Sequence, residues 1–200
     1  MTTLLGVAIA YLLGAIPFGY LLVKLTTGAD VRAAGSGNIG ATNVLRTSGR
    51  ASGIATLLLD IAKGYLAVWI AGRFADHDPT AMSLAALAVM AGHAYPVFLK
   101  FQGGKAVASF VGAFLCLTPP ALGSVLVVFV VVVSWTRHIS MGSIVAAATF
   151  PLAVWLIQKP PLPVVVAAVI AGALIIYKHS SNIRRLHDGT EHVFAFGEPK

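Results

Sequence analysis

A polytopic bundle of apolar helices embedded in a membrane is the fold class this sequence predicts, and three observations predict it. Hydrophobic residues make up 58% of the chain and charged residues only 10%, against about a quarter charged in an ordinary soluble domain. The mean hydropathy is +0.86. The apolar residues gather into seven runs, most of them near the roughly 17–25 residues that a bilayer crossing needs. So few charges cannot cover a water-facing surface, so lipid must cover it. The length fits one domain, residues 1–200.

The runs are 4–23, 54–70, 81–99, 106–117, 120–135, 142–157 and 163–177. The first has no basic segment before it and is long enough to span, so it reads as an uncleaved helix rather than a signal peptide. The fourth is short and ends at Thr118-Pro119-Pro120, which suits a tilted or partly re-entrant piece. Charge supplies the orientation. With the amino terminus outside, one face receives Lys24, Arg32, Arg46, Arg50, Lys100, Lys105, Arg137, Lys178, Arg184, Arg185 and Lys200, eleven of the fourteen Lys and Arg. That bias places this face, and the carboxyl terminus, in the cytoplasm, provided that all seven runs cross. Arg73 and Lys159 fall on the other face.

The net charge of +7 does not imply nucleic acid, because no basic stripe interleaved with aromatics is present. The cations stand at the ends of apolar runs, where they set topology and attract anionic headgroups or phosphorylated small molecules. Cys116 is the single cysteine, so it forms no internal disulfide and reads as a packing residue. No HExxH or CxxC occurs, and the six histidines are scattered, so no metal site is expected. A G-x-S-x-G elbow is missing as well. No histidine is followed five residues later by aspartate, which excludes the soluble-type glycerolipid acyltransferases.

Three polar clusters lie on the expected cytoplasmic face. In the first, GSGNIGATNVLR at 35–46, the spacing of Gly35, Gly37 and Gly40 matches a dinucleotide fingerprint, but no βαβ unit surrounds it. Glycines let backbone N–H groups approach an anion, Ser36, Asn38, Thr42 and Asn43 add neutral hydrogen-bonding groups, and Arg46 supplies a fork that suits phosphate. The bland reading is a polar turn between helices. In the second, GHAYPVFLKFQGGKA at 92–106, Gly103-Gly104-Lys105 before an apolar run favours an anion. It is not a P-loop, which would need glycine at Leu99 and Ser or Thr at Ala106. His93 reads as a helix-end or interhelical hydrogen bonder, with contact to substrate the alternative. In the third, KHSSNIRRLHDGTE at 178–191, His179 and Asn182 share one side of a helical turn. Arg184 and Arg185 either grip phosphate or anchor the helix at the headgroups, and Glu191 is expected to pair with a loop arginine. Ser143, opening the sixth run, either caps that helix or donates to a phosphate. Asp60 and Lys63, three apart within the second run, should face the bundle and pair, a proton relay being the alternative.

The residues by themselves reach a cytoplasm-facing, membrane-embedded anion site. The three clusters, in this order, resemble the three cytoplasmic motifs of the bacterial acyl-phosphate:glycerol-3-phosphate acyltransferase family (PlsY), and the resemblance covers nearly the whole chain. Two positions depart from it: Ala106 stands where the family usually has glycine, and Tyr95 where phenylalanine is common. The first is expected to stiffen the second loop slightly. The resemblance implies transfer of a fatty acyl group from acyl phosphate to the 1-hydroxyl of sn-glycerol 3-phosphate, giving lysophosphatidate and inorganic phosphate, the first step of phospholipid synthesis.

The implied enzyme is a multi-pass protein of the bacterial inner membrane, in contact with membrane lipid, active on the cytoplasmic side, monomeric, and without cofactor, metal or nucleic-acid partner. The substrate-binding set is then Ser36, Gly37, Asn38, Arg46, Gly103, Gly104, Lys105, Ser143, His179 and Asn182, with Ser36, Lys105 and His179 catalytic. Because the donor is a mixed anhydride, positioning and electrostatics suffice. The hydroxyl proton passes either to the donor's own phosphate or to His179 as general base. The competing class is a transporter or flippase for a phosphorylated solute or lipid; such proteins often carry internal repeats and binding sites at the midplane, and neither is seen here.

Overall fold

The computed structural model describes residues 2–194, and every regular element among them is helical. Lys200, counted above with the inner face, lies outside the described residues. The chain forms two compact units, Met1–Leu117 and Thr118–Lys200.

The first unit opens with α1 (Thr2–Ala15) and α2 (Phe18–Thr27), where a single helix was expected over 4–23. The correction has a local cause: Pro17 has no N–H to donate and its ring crowds the preceding turn, so the helix breaks at Ile16-Pro17. The Ile16 carbonyl exposed at the break accepts a hydrogen bond from Lys63 Nζ at 2.8 Å. After α2, closed by Gly28 in the left-handed region, come a 3₁₀ turn at Val31–Ala33 and α3 (Ala41–Ser48). The long α4 (Arg50–Phe74) follows, then α5 (Pro79–Ala94). Asp78 caps α5 by accepting from the Ala81 N–H at 2.8 Å, with Pro79 in the first turn, where its missing N–H is no loss. A 3₁₀ turn at Val97–Leu99 leads to α6 (Val107–Leu117).

Helices approach closely in this unit because small residues line their contacts, as expected where lipid removes the hydrophobic drive for helix association. α1 packs on α5, and α4 on α6. A Cβ on Gly14 would run into the Val89 carbonyl, one on Gly92 into that of Tyr11, and one on Gly112 into that of Ile61. Gly112→Val should therefore force α4 and α6 apart and cost about 1–3 kcal/mol. Gly123, whose Cβ would meet nothing within 4 Å, is the control: Gly123→Ala should leave the melting temperature in detergent unchanged or raised, as alanine is the better helix former. Equal melting of the two variants would contradict this packing account.

The second unit comprises α7 (Pro119–Thr136), α8 (Ile139–Ile157), α9 (Leu162–Lys178) and α10 (Ser180–His187). α8 packs against both α7 and α9. The outward faces of both units are apolar, with Leu4 76%, Val127 63% and Trp135 87% exposed, a surface that only lipid satisfies. Five stretches, Thr2–Thr27, Arg50–Phe74, Pro79–Leu99, Pro119–Thr136 and Ile139–Ile157, are long and apolar enough to cross a membrane. A sixth appears if α9 and α10, bent by 55°, count as one. α6, with 11 residues, gives about 16 Å of helix, roughly half the hydrocarbon thickness.

Candidate active site

The first cluster is organised from within by Asn43, 1% exposed on α3. Its Oδ1 accepts from the Ser36 N–H at 2.8 Å. Its Nδ2 donates to the carbonyls of Val31, Ala34 and Asn38 at 3.2, 3.2 and 2.8 Å. Asn38 in turn accepts from the Gly40 N–H at 2.8 Å. Gly35 and Gly37 take φ of 59° and 70°, a region that favours glycine, and the chain can then fold back on Asn43. Asn43, expected among the groups that face an anion, instead spends its side chain on holding the turn. Ser36, Gly37 and Arg46 are exposed and Asn38 half-buried. Arg46 stands on α3, one turn beyond Asn43, not in a loop. Beside the turn, Asp30 pairs with Arg32 at 2.6 Å. The Arg32 guanidinium and N–H hold its carboxyl down at about 2.

The second cluster leaves α5 at Tyr95, whose carbonyl accepts from the Tyr11 hydroxyl at 2.9 Å. The chain passes through Lys100 and Phe101 with φ of 53° and 63° and turns at Gly103-Gly104. The Gly104 N–H donates to the His93 carbonyl at 3.0 Å, and a Cβ on Gly104 would enter the His93 ring. Lys105 follows, two residues before α6. Ala106 has φ of 60° and is fully buried, a conformation costing an alanine roughly 1–2 kcal/mol that glycine would not incur. Ile39 and Val44 from the first cluster and Leu99 from the second share one small apolar core with Val23 and with Val31 of the 3₁₀ turn. The structure thereby brings the first two clusters together.

In the second unit His179 sits at the bend between α9 and α10, 3% exposed. Its Nδ1 lies 2.7 Å from the Ile175 carbonyl. A carbonyl only accepts, so Nδ1 carries a proton, and in the neutral ring Nε2 then holds the lone pair. Asn182 Nδ2 donates to Glu191 Oε1 at 2.7 Å, Ser140 donates to the same oxygen at 2.9 Å, and Arg185 Nε donates to Oε2 at 2.7 Å. The expected arginine partner of Glu191 is thus Arg185, although it stands on α10 rather than in a loop. Ser143, one turn along α8 from Ser140, is 5% exposed and donates to the Ile139 carbonyl at 2.9 Å. It does not cap α8, whose entry residue is His138. Ser140 and the hub role of Glu191 were not foreseen: a lone serine beside a basic turn carries no periodic signal.

Burial pushes the Glu191 carboxyl up, but the hydrogen bonds from Asn182, Arg185 and Ser140 outweigh it and hold it below the usual glutamate range. A depressed carboxylate stabilises above its unfolded pKa of about 4.3 and loses that contribution as pH falls through the lower folded value. Thermal melts should show stability falling with acid below about pH 4.3, whereas Glu191→Gln is less stable near neutrality and lacks this component. A Glu191→Gln profile identical to the parent's would contradict the clamp.

Fold and site define an all-helical, multi-pass membrane protein with cationic, glycine-rich turns suited to phosphate. The sequence model for glycerol-3-phosphate acyltransferases matches residues 4–189. A glycerol-3-phosphate acyltransferase of Geobacter sulfurreducens is 47% identical over 97% of this chain and 98% of its own length. One from Thermotoga petrophila is 42% identical over 92% of each. A crystal structure of PlsY (YgiH), an integral membrane glycerol 3-phosphate acyltransferase in its glycerol 3-phosphate form, is 39% identical and superposes with a TM-score of 0.92 over 98% of this chain and 96% of its own. Its lysophosphatidic acid form gives 0.89 at 37% identity, with the same coverage. The chain belongs to the glycerol-3-phosphate acyltransferase family and is an enzyme of that activity.

Proposed function

We propose that the enzyme moves a fatty acyl group from acyl phosphate to the 1-hydroxyl of sn-glycerol 3-phosphate. The hydroxyl oxygen attacks the acyl carbonyl carbon, the bond between that carbon and the phosphate oxygen breaks, and lysophosphatidate and inorganic phosphate leave. Ser36, Gly37, Asn38 and Arg46, with Gly103, Gly104 and Lys105, bind phosphate oxygens; Ser143, His179 and Asn182 complete the set. Lys105 offsets charge building on the departing phosphate. The hydroxyl proton passes to the departing phosphate itself. The second route for that proton is Nε2 of a neutral His179. The observation that carries the phosphate reading is the small core of Val31, Ile39, Val44 and Leu99, which seats two glycine-rich, cationic turns side by side.

Seven crossings, with α6 short but spanning, an outside amino terminus and a cytoplasmic carboxyl terminus agree with the bias of Lys and Arg to one face. This puts the site on the cytoplasmic side of the bacterial inner membrane, in a monomer surrounded by lipid. The family match over 4–189 runs through both units, which supports one acyltransferase domain over 1–200. Lys105→Ala should lower kcat/KM by about 10²–10³, measured on folded protein of unchanged melting temperature. Undiminished turnover would remove the second cluster from the site.

A further inference from the structure

Three ionisable side chains are buried in the first unit, and the proposed reaction uses none of them. Asp60 and Lys63 of α4 are 1% and 3% exposed, and His93, in the last turn of α5, is 4% exposed. Lys63 Nζ stands 2.7 Å from Asp60 Oδ1 and donates to the Ile16 carbonyl at 2.8 Å. His93 Nδ1 stands 3.6 Å from the same carboxylate oxygen. Charges at membrane depth are costly, and replacing such a set by apolar residues is often neutral or stabilising. Packing alone therefore does not account for them.

The surroundings of His93 suggest what they do. Its carbonyl receives the Gly104 N–H at 3.0 Å. Its Nε2 edge lies so close to Gly104 that no Cβ would fit between them, and Gly103 is pressed against the same carbonyl and the Pro96 ring. The turn that presents Lys105 thus rests on both the main chain and the ring of His93, while the Nδ1 edge of that ring faces Asp60.

We propose that Asp60 and His93 are positioning residues: the carboxylate sets the orientation of the imidazole, and the imidazole sets the Gly103-Gly104 turn and hence the placement of Lys105. Lys63 neutralises Asp60 and fastens the pair to the break between α1 and α2. The inference rests on the second cluster belonging to the active site.

Steady-state kinetics of the full-length protein, with glycerol 3-phosphate and palmitoyl phosphate varied in turn, test it. Lys105→Ala first identifies the substrate whose KM the turn governs. His93→Ala should raise the KM for that same substrate about tenfold, leave the other KM within about twofold, and add little further loss when combined with Lys105→Ala. A residue that merely holds α4 against α5 lowers the fraction of folded enzyme, and so kcat, with both KM values unchanged. That result, a rise confined to the other substrate, or fully additive losses would overturn the proposal. Should His93→Ala fail to fold, Asp60→Asn, of nearly equal volume, is judged by the same KM criterion. If Lys105→Ala itself leaves the kinetics intact, the turn lies outside the site and the inference falls with that reading.

Discussion

A single methyl group added at Gly104 or Gly103 is expected to lower acyl transfer at least about a hundredfold. A Cβ on Gly104 would overlap Nε2 of His93, a ring 4% exposed and walled in by its neighbours. On Gly103 the Cβ would overlap the His93 carbonyl and Pro96 Cδ, which belong to the backbone and to a rigid ring. Neither neighbour can swing aside as the tip of a long side chain would. The turn itself must then move, carrying Lys105 away from a reacting group that tolerates displacement poorly, because misplacement of about 1 Å costs on the order of a hundredfold in rate. The bulk of α6 need not shift, so the melting temperature should change far less than the activity. Assays of both alanine variants beside thermal melts check this. Full activity in either variant would show that the turn is not held as described.

Lys63→Met should be the most destabilising of the single substitutions considered. It removes the ammonium 2.7 Å from Asp60 and the donor to the Ile16 carbonyl, leaving a carboxylate that is 1% exposed without its counter-charge. Breaking a buried pair from one side costs about 3–5 kcal/mol, which for a chain of this size lowers Tm by roughly 10 °C. Removing both charges, in Asp60→Asn with Lys63→Met, should recover a large part of that loss, because no buried charge then remains uncompensated. Melting curves in one detergent, with the double variant alongside, measure it. A double variant less stable than Lys63→Met would contradict the pairing account.

The membrane bundle was legible in the sequence because lipid-facing helices are apolar along their whole length, and that signal survives without any partner. The helices expected from 54, 120 and 142 onward extend only a few residues beyond the apolar runs, to Arg50–Phe74, Pro119–Thr136 and Ile139–Ile157. The break at Ile16-Pro17 was not anticipated, since a proline inside an apolar run is tolerated when a neighbour satisfies the carbonyl it frees, and that neighbour, Lys63, is 47 residues away. α3 was not found because it is eight residues of mixed polarity and forms no apolar run, whereas α10, equally short and polar, was legible only as a helical turn over His179 and Asn182. The Asp60–Lys63 pair was readable because both partners lie one turn apart on one helix. Asn43 and Ser140 were not singled out for the roles they take, because their partners are set by the tertiary fold: the backbone of a folded-back turn for Asn43, and a glutamate 51 residues away for Ser140.

The choice of acyl donor separates this reaction from every other route to lysophosphatidate. Purified enzyme in lipid is given glycerol 3-phosphate with palmitoyl phosphate, or with palmitoyl coenzyme A in a parallel reaction, and lysophosphatidate and inorganic phosphate are followed together. The account predicts equal amounts of both products from palmitoyl phosphate and none from the thioester. Lysophosphatidate from the thioester alone, or neither product from folded protein that still binds both phosphorylated substrates, would contradict it.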